Sequence, residues 1–433
     1  MAAEHLADPG RGDGRVELLV DHLFRRESGK MVSALTRVFG THNLTLAEDV
    51  VQETLLQALR HWPFTGIPAN AAGWLYQVAR HKALDVIRRD ASFRRITAGL
   101  GAWSDGRGSD RVDIDRIVLD GEIEDDLLRM MFTCCHPVLP LESQIALTLR
   151  ILCGFSAGEI AHALLASEST IEKRLYRAKQ KIREARLAFE VPSGAELSAR
   201  LRAVLSVLYL MFNEGYSASF SEYPIRKDVC LEAMRLCLLL TQHPAGADPA
   251  TFALMALMCF HAARLDARVD GHGDLLVLRD QDRSRWNRAL IVEGMDYLRR
   301  SGSGERVDEV HLEAGIAALH CLADSYDRTD WDGIIRLYDA LLDLRPSPVV
   351  ALNRAIAVAE RDGPRAALDA LEAILDEPVL RHYHLLPATL AELHLRLGHL
   401  DNATLHFRRA LALTSSPTEK RFLERKLAAC QGA

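Results

Sequence analysis

The 433-residue sequence lacks three things at once: a C-x-x-C pair among its eight cysteines, a long apolar run, and an excess of positive charge. Each absence excludes a class. Disulfide frameworks belong to short secreted chains, so the thiols at 134, 135, 153, 230, 237, 259, 321 and 430 are expected to be reduced and buried. The longest apolar run, Phe252 to Phe260, is far short of the roughly 20 residues that span a bilayer. The opening MAAEHLADPGRGDGR has no apolar core of the kind a signal peptide needs. A cytoplasmic protein without membrane contact is expected. Lys and Arg number 53 against 59 Asp and Glu, a net charge of -6, which argues against coating nucleic acid over the whole surface. Any such contact must be local. Aromatics are sparse at 6%, and strand signals are missing from the C-terminal 240 or so residues, which read as many helices.

What is present is ordinary globular composition, 48% apolar and 26% charged, in a chain long enough for two or three domains. One stretch stands out. Phe155 to Arg186 reads as two helices joined by a tight turn near Ala166-Ser167. The first opens at Ser156, with Glu159 three residues on as a capping box, and repeats Ile160, Ala161, Leu164 and Leu165 at helical spacing. The second starts at a cap of Ser169 and Thr170 and keeps Ile171, Leu175, Ala178 and Ile182 on one face. Between Thr170 and Arg186 lie seven basic and two acidic residues, a local charge of +5. A helix-turn-helix sets the start of its second helix against base edges while its cations neutralise phosphates.

Nearer the N-terminus, AEDVVQETLLQALRHW reads as a helix with Val50, Val51, Leu55, Ala58, Leu59 and Trp62 inward, and Glu48, Asp49 and Glu53 exposed. The Pro/Gly-rich loop 63–73 follows, then WLYQVARHKALDVIRRD, buried through Leu75, Val78, Ala79, Leu84 and Ile87. Its remaining faces interleave Trp74 and Tyr76 with basic residues, a pattern that suits single-stranded nucleic acid, where bases stack on rings and cations follow the backbone. Residues 99–126 read as a mobile tether, with nine acidic and three basic residues between Ser104 and Asp126. Near the C-terminus, Thr329, Gly363 and Gly398 mark a phase of about 34–35 residues, the tetratricopeptide (TPR) period. The last unit fits it best and the middle one least.

With these motifs in this order, residues 16–189 resemble an extracytoplasmic-function (ECF) sigma factor, the subunit that gives bacterial RNA polymerase its promoter choice. AEDVVQETLLQALRHW resembles region 2.2, GWLYQVARHKALDVIRR regions 2.3–2.4, and FSAGEIAHALLASESTIEKRLYRAKQKI region 4.2. The tail resembles the subgroup with a long TPR-like extension, through VLYLMFNEGYSAS (207–219), LRDQDRSRWNRALI (278–291) and LDLRPSPVVALNRAIAVAERDGP (342–364). The resemblance implies an all-α chain: region 2 over 16–98, an acidic linker over 99–126, region 4 over 127–190, a helical extension over 191–325 and TPR-like repeats over 326–432. Core RNA polymerase and promoter DNA would be its partners, with an intramolecular or protein partner for the repeats.

The same resemblance assigns roles. Asp49, Gln52, Glu53 and Leu56 would meet polymerase. Asn70 would capture a flipped −10 base, and Trp74, Tyr76, Arg80, His81, Asp85, Arg88 and Arg89 would line the strand-opening helix. Ser169, Thr170, Lys173, Arg174 and Arg177 would read the −35 element, with Lys179 and Lys181 on phosphates. An ordinary helix-turn-helix regulator with an effector-binding tail is the alternative.

No cofactor or metal site and no enzyme activity is expected. Cys134-Cys135-His136 lacks the spacing of a zinc site. Glu214 and Asp282 come without a nucleophile-base-orienter set, and His382 and His384 do not share a helix face.

Overall fold

The computed structural model describes residue 23 and residues 27–98, 120–164, 166–216, 227–244, 246–271, 274–304 and 306–431. Among them are α-helices and short 3-10 turns but no strand, only an isolated bridge between Val269 and Leu275. The chain divides into two compact units, Met1–Val207 and Leu208–Ala433.

The first unit opens with α1 (27–39), α2 (Leu44–Thr65) and α3 (Ala71–Ala98). On α2, Ala47, Val50, Val51, Thr54, Leu55, Ala58 and Trp62 recur at helical spacing and are buried. α3 packs on it through Leu75, Ala79 and Ala83, while Val78, Leu84 and Ile87 are only half-buried. Four helices follow: α4 (Asp120–Cys134), α5 (Leu141–Leu152), α6 (Ala157–Ala163) and α7 (Glu168–Ala185). α5 supports both α6 and α7. Helix α8 (Gly194–Tyr216) crosses from one unit to the other, and its Arg200 donates to the Phe132 carbonyl of α4 at 3.2 Å.

Two features depart from the sequence reading. Most of the expected tether, 99–119, lies outside the described residues, but its end does not: α4 begins at Asp120. Asp126 is fully buried, 3.3 Å from Arg37 of α1 and 3.0 Å from Arg129. A composition rule counts Asp126 as one more acid in a solvated run, whereas two guanidinium groups make its burial tolerable. The segments read as regions 2 and 4 also pack directly on one another. A Cβ at Gly29 of α1 would lie 2.1 Å from the Leu152 carbonyl oxygen of α5, so only glycine permits that approach. Thr41 donates to the Leu187 carbonyl at 2.5 Å, and Lys179 of α7 pairs with Glu48 of α2 at 2.9 Å. Glu48, expected on the exposed face, is thus largely covered.

In the second unit α9 (Lys227–Gln242), α11 (Arg288–Ser301) and α12 (Glu309–Leu322) surround α10 (Pro249–Ala262). Asp248 caps α10 through the Ala250 N–H, and residues 251–260 are buried on every side, which explains the apolar run. Over Pro249–Ala267 the segment is long and apolar enough to cross a membrane, yet 78% of it is buried within the protein, as a core helix is.

Three helix pairs complete the unit: α13 (Trp331–Leu344) with α14 (Pro348–Asp362), α15 (Pro364–Leu371) with α16 (Leu385–Arg396), and α17 (Leu400–Leu413) with α18 (Pro417–Gln431). Small residues sit at the contacts, as with Ala391, Ala403 and Ala410 around Phe407. The middle pair is irregular: α15 has eight residues and gives way to 3-10 turns at Glu372–Ile374 and Pro378–Leu380.

Candidate nucleic-acid interface

The turn before α7 forms as its residues dictate. Ser156 and Glu159 cap α6 reciprocally: the Ser156 N–H donates to Glu159 Oε2 at 2.7 Å, and the Glu159 N–H to Ser156 Oγ at 3.1 Å. The N-cap of α7 is Ser167, which accepts from the Thr170 N–H at 3.3 Å. The sequence reading placed that cap at Ser169 and Thr170; both instead lie inside the first turn and are exposed. The cap falls earlier because the Ser167 hydroxyl reaches the orphan N–H three residues on.

Ile171, Leu175, Ala178 and Ile182 face inward. A residue turns about 100° from the last on a helix, so Ser169, Thr170, Lys173, Arg177 and Lys181 fall on the solvent side, where all are exposed. None of these three cations has an ion-pair partner among the described residues. The other two named bases flank that face and are engaged. Arg174, half-buried, donates to Glu142 of α5 at 2.5 Å, and Lys179 is held by Glu48. Tyr176 was not singled out from the sequence, although it is 67% exposed on the same surface. A large aromatic inside a basic helix was the available signal.

The α2–α3 corner divides its expected residues between two faces. Asn70 is the N-terminal stop of α3: its Oδ1 accepts from the Gly73 N–H at 2.8 Å, leaving the side-chain amide nitrogen to donate. Trp74 lies between two α2 rings, stacked on His61 at 6.1 Å and edge-on to Trp62 at 5.4 Å. It is half-buried, so one side of the ring packs while the rest meets solvent. His81, Asp85 and Arg88 follow on the outer face, with Arg89 beside them donating to the Asp85 carbonyl at 3.3 Å. Tyr76 and Arg80 turn the other way. The Tyr76 hydroxyl donates to Glu27 of α1 at 3.5 Å, and Arg80 Nε is buried. Phe64, passed over in the sequence, is 89% exposed at the end of α2, where the loop begins.

On α2, Asp49, Gln52, Glu53 and Leu56 form one exposed stripe at spacings of three and four, with Leu56 half-exposed. Glu53 also pairs with Lys82 of α3 at 3.3 Å.

The set-aside chemistry is equally well placed. All eight cysteines are free and buried, and burial pushes the Cys135 thiol up to about 12. No group of three His, Cys, Asp or Glu among the described residues is placed to hold a metal ion. Asp282 caps a short 3-10 turn through the Ser284 N–H, and Glu214 is buried on α8. His384 does not clamp with His382; it faces Glu419 at 3.1 Å.

Known proteins bear on both units. Residues 23–93 match Sigma-70 region 2, residues 129–182 match Sigma-70, region 4, and residues 200–302 match a family of unknown function (DUF6596). An uncharacterized protein of Rhizobium meliloti is 40% identical over 400 residues, 92% of either chain. The probable ECF RNA polymerase sigma factor SigI of Mycobacterium tuberculosis is 31% identical over 174 residues, 40% of this chain and 57% of SigI. The ECF RNA polymerase sigma factor SigL of the same organism is 31% identical over 144 residues, 33% of this chain and 76% of SigL. No solved structure matches. With both sigma regions present in order, and most of SigL covered by the part that carries them, the chain belongs to the ECF RNA polymerase sigma factors.

Proposed function

We propose that this sigma factor joins core RNA polymerase through the α2 stripe, reads a −35 element with α7, and holds a melted −10 strand with the α2–α3 corner. The observation that carries this is the outer face of α7, where Lys173, Arg177 and Lys181 stand exposed beside Ser169 and Thr170 with no ion-pair partner among the described residues. Lys173 and Arg177 serve as base readers, and Lys181 as a phosphate contact. Arg174 and Lys179 begin in ion pairs and reach DNA only by exchanging carboxylate for phosphate.

At the other site, Trp74, Phe64 and His61 offer rings to unstacked bases, Asn70 donates through its free amide, and Arg88 and Arg89 follow the backbone. Tyr76 and Arg80 support the corner from beneath. There is no covalent step. The protein opens DNA by binding the melted strand better than the duplex.

Geometry adds a requirement. Elements named for positions −35 and −10 are about 25 base pairs apart, roughly 85 Å at 3.4 Å per pair. Helix α7 cannot serve the first while packed on α2 beside the second. Promoter binding therefore separates the two halves of the first unit, breaking the Lys179–Glu48 pair and the Gly29–Leu152 approach. The C-terminal unit, whose residues 326–432 read as TPR-like repeats, regulates the sigma half through protein contacts.

Transcription from a defined promoter with purified core polymerase tests the reading. Specific initiation that depends on the chain is expected, and so is altered activity when residues 217–433 are removed. Tight binding to duplex without polymerase, and no initiation with it, would replace this account with that of an ordinary regulator.

A further inference from the structure

The second unit encloses a cavity of about 630 Å³ that promoter recognition does not use. That is the size of a drug-like ligand's pocket. The three stretches that carry the resemblance of the tail come together on it: Tyr209, Asn213 and Tyr216 from the first, Gln281 from the second, Val350 and Asn353 from the third. They are far apart in sequence, so their meeting at one hollow points to a site.

The wall has two chemically distinct ends. Glu313 and His320 both line it from α12, seven residues and about 10 Å apart along the helix axis. Arg264 lies near both His320 and His261, and Arg268 near His261. The Arg264 guanidinium donates to the Tyr216 hydroxyl at 2.5 Å, and that of Arg268 stacks 3.6 Å above the Tyr216 ring. Several arginines of this unit are matched with acids, as in Arg279–Glu360, Arg354–Asp339 and Arg361–Asp332. Neither Arg264 nor Arg268 has a carboxylate within 4 Å among the described residues.

A guanidinium cannot shed its charge, so two of them in a recess remain partly uncompensated. The nearby imidazoles add no counter-charge; burial, with Arg264 and Arg268, holds His261 far below its ordinary range, and burial, with Arg264 and Arg283, holds His320 at about 3. Both Nδ1 atoms are buried without a hydrogen-bond partner among the described residues. At the far end the Tyr209 hydroxyl hydrogen-bonds Glu313 and Asn213, while Leu257, Ile316, Leu341 and Phe422 supply apolar wall between.

We propose that this cavity binds a small amphipathic organic anion, its acid group against Arg264 and Arg268, its apolar body along α12, and a polar group at Glu313. An external acid provides the charge that the described residues do not, and the apolar wall selects a molecule with a hydrocarbon body over a bare inorganic ion. Carboxylate and phosphate both satisfy the arginines. The site stands whether or not the N-terminal unit directs transcription.

Two dyes of similar body test this on the full chain: 8-anilinonaphthalene-1-sulfonate, an anion, and N-phenyl-1-naphthylamine, its neutral counterpart. The anion is expected to bind at one site and the neutral dye about tenfold more weakly, the worth of one charge-assisted hydrogen bond. Benzoate and phenyl phosphate should displace the anion, their order telling which acid fits, and inorganic phosphate at the same concentration should not. Arg268→Gln should weaken the anion about tenfold and leave the neutral dye unchanged. Equal binding of the two dyes by the unaltered chain, or displacement by inorganic phosphate as readily as by phenyl phosphate, overturns the proposal. Neither outcome depends on the variant folding.

Discussion

Lys179 Nζ on α7 lies 2.9 Å from Glu48 Oε1 on α2, so a base of the helix proposed to read DNA is neutralised by an acid of the helix proposed to meet polymerase. Neither carboxylate nor ammonium is fully exposed, and the pair ties together two segments 131 positions apart.

If α7 docks on DNA as proposed, that pair competes with phosphate for the same ammonium. Glu48→Gln is expected to tighten binding of the full chain to duplex carrying its −35 element, by up to about fivefold for a partly solvated pair worth at most about 1 kcal/mol. Fluorescence anisotropy at fixed salt measures it. Weaker or unchanged binding would show that the contact does not hold α7 back.

Lys173→Ala and Arg177→Ala should each relax preference at one −35 position by about 1–3 kcal/mol, read as transcription from a panel of singly substituted promoters. Arg174→Ala should act differently. With its guanidinium on Glu142, it should cost little base preference and at most about 1 kcal/mol of stability. A specificity loss confined to Arg174 would invert the assignment of faces.

Trp74→Ala should slow strand opening, since a ring that stacks on a base gives about 1–3 kcal/mol. Because Trp74 also packs edge-on against Trp62, Trp74→Phe is the companion variant: it keeps an aromatic and should restore most of the opening rate. A 2-aminopurine probe in the −10 strand reports it. If both variants open DNA like the parent, the ring is structural alone.

Gly29→Ala places a methyl 2.1 Å from the Leu152 carbonyl oxygen, a backbone atom that cannot swing aside. Overpacking of this kind costs about 1–3 kcal/mol. Urea unfolding of the first unit's transition should shift to lower denaturant by that amount. An unchanged midpoint would mean α1 and α5 do not approach so closely in solution.

Burial, reinforced by Glu309, pushes the Glu313 carboxyl from 4.5 up to about 7, while the Tyr209 hydroxyl bonded to it pulls the other way. Between those two values the unfolded chain binds fewer protons than the folded one, so stability falls as pH rises through that window and stays lower above it. Glu313→Gln keeps the shape and abolishes the slope. It should stabilise the chain at pH 8 by on the order of 1–2 kcal/mol and change little at pH 4.5. Equal shifts at both pH values would sink this.

Much of the architecture was legible because helices announce themselves locally. The capping box at Ser156 and Glu159 and the inward row Ile171, Leu175, Ala178 and Ile182 follow from residues three and four apart. In the C-terminal unit the 3-10 turns at Glu372–Ile374 and Pro378–Leu380 interrupt the middle helix pair.

By itself, then, the sequence determined the helices, the helix-turn-helix, its basic surface and the family. Only the tertiary structure decided which charges remain available: it paired Arg174 and Lys179, buried Asp126 between Arg37 and Arg129, turned Tyr76 inward, and left Arg264 and Arg268 with no acid among the described residues. The physical reason is range. Periodicity and capping are set by neighbours along the chain, whereas the partner of a long charged side chain is chosen among residues that only packing brings within 4 Å.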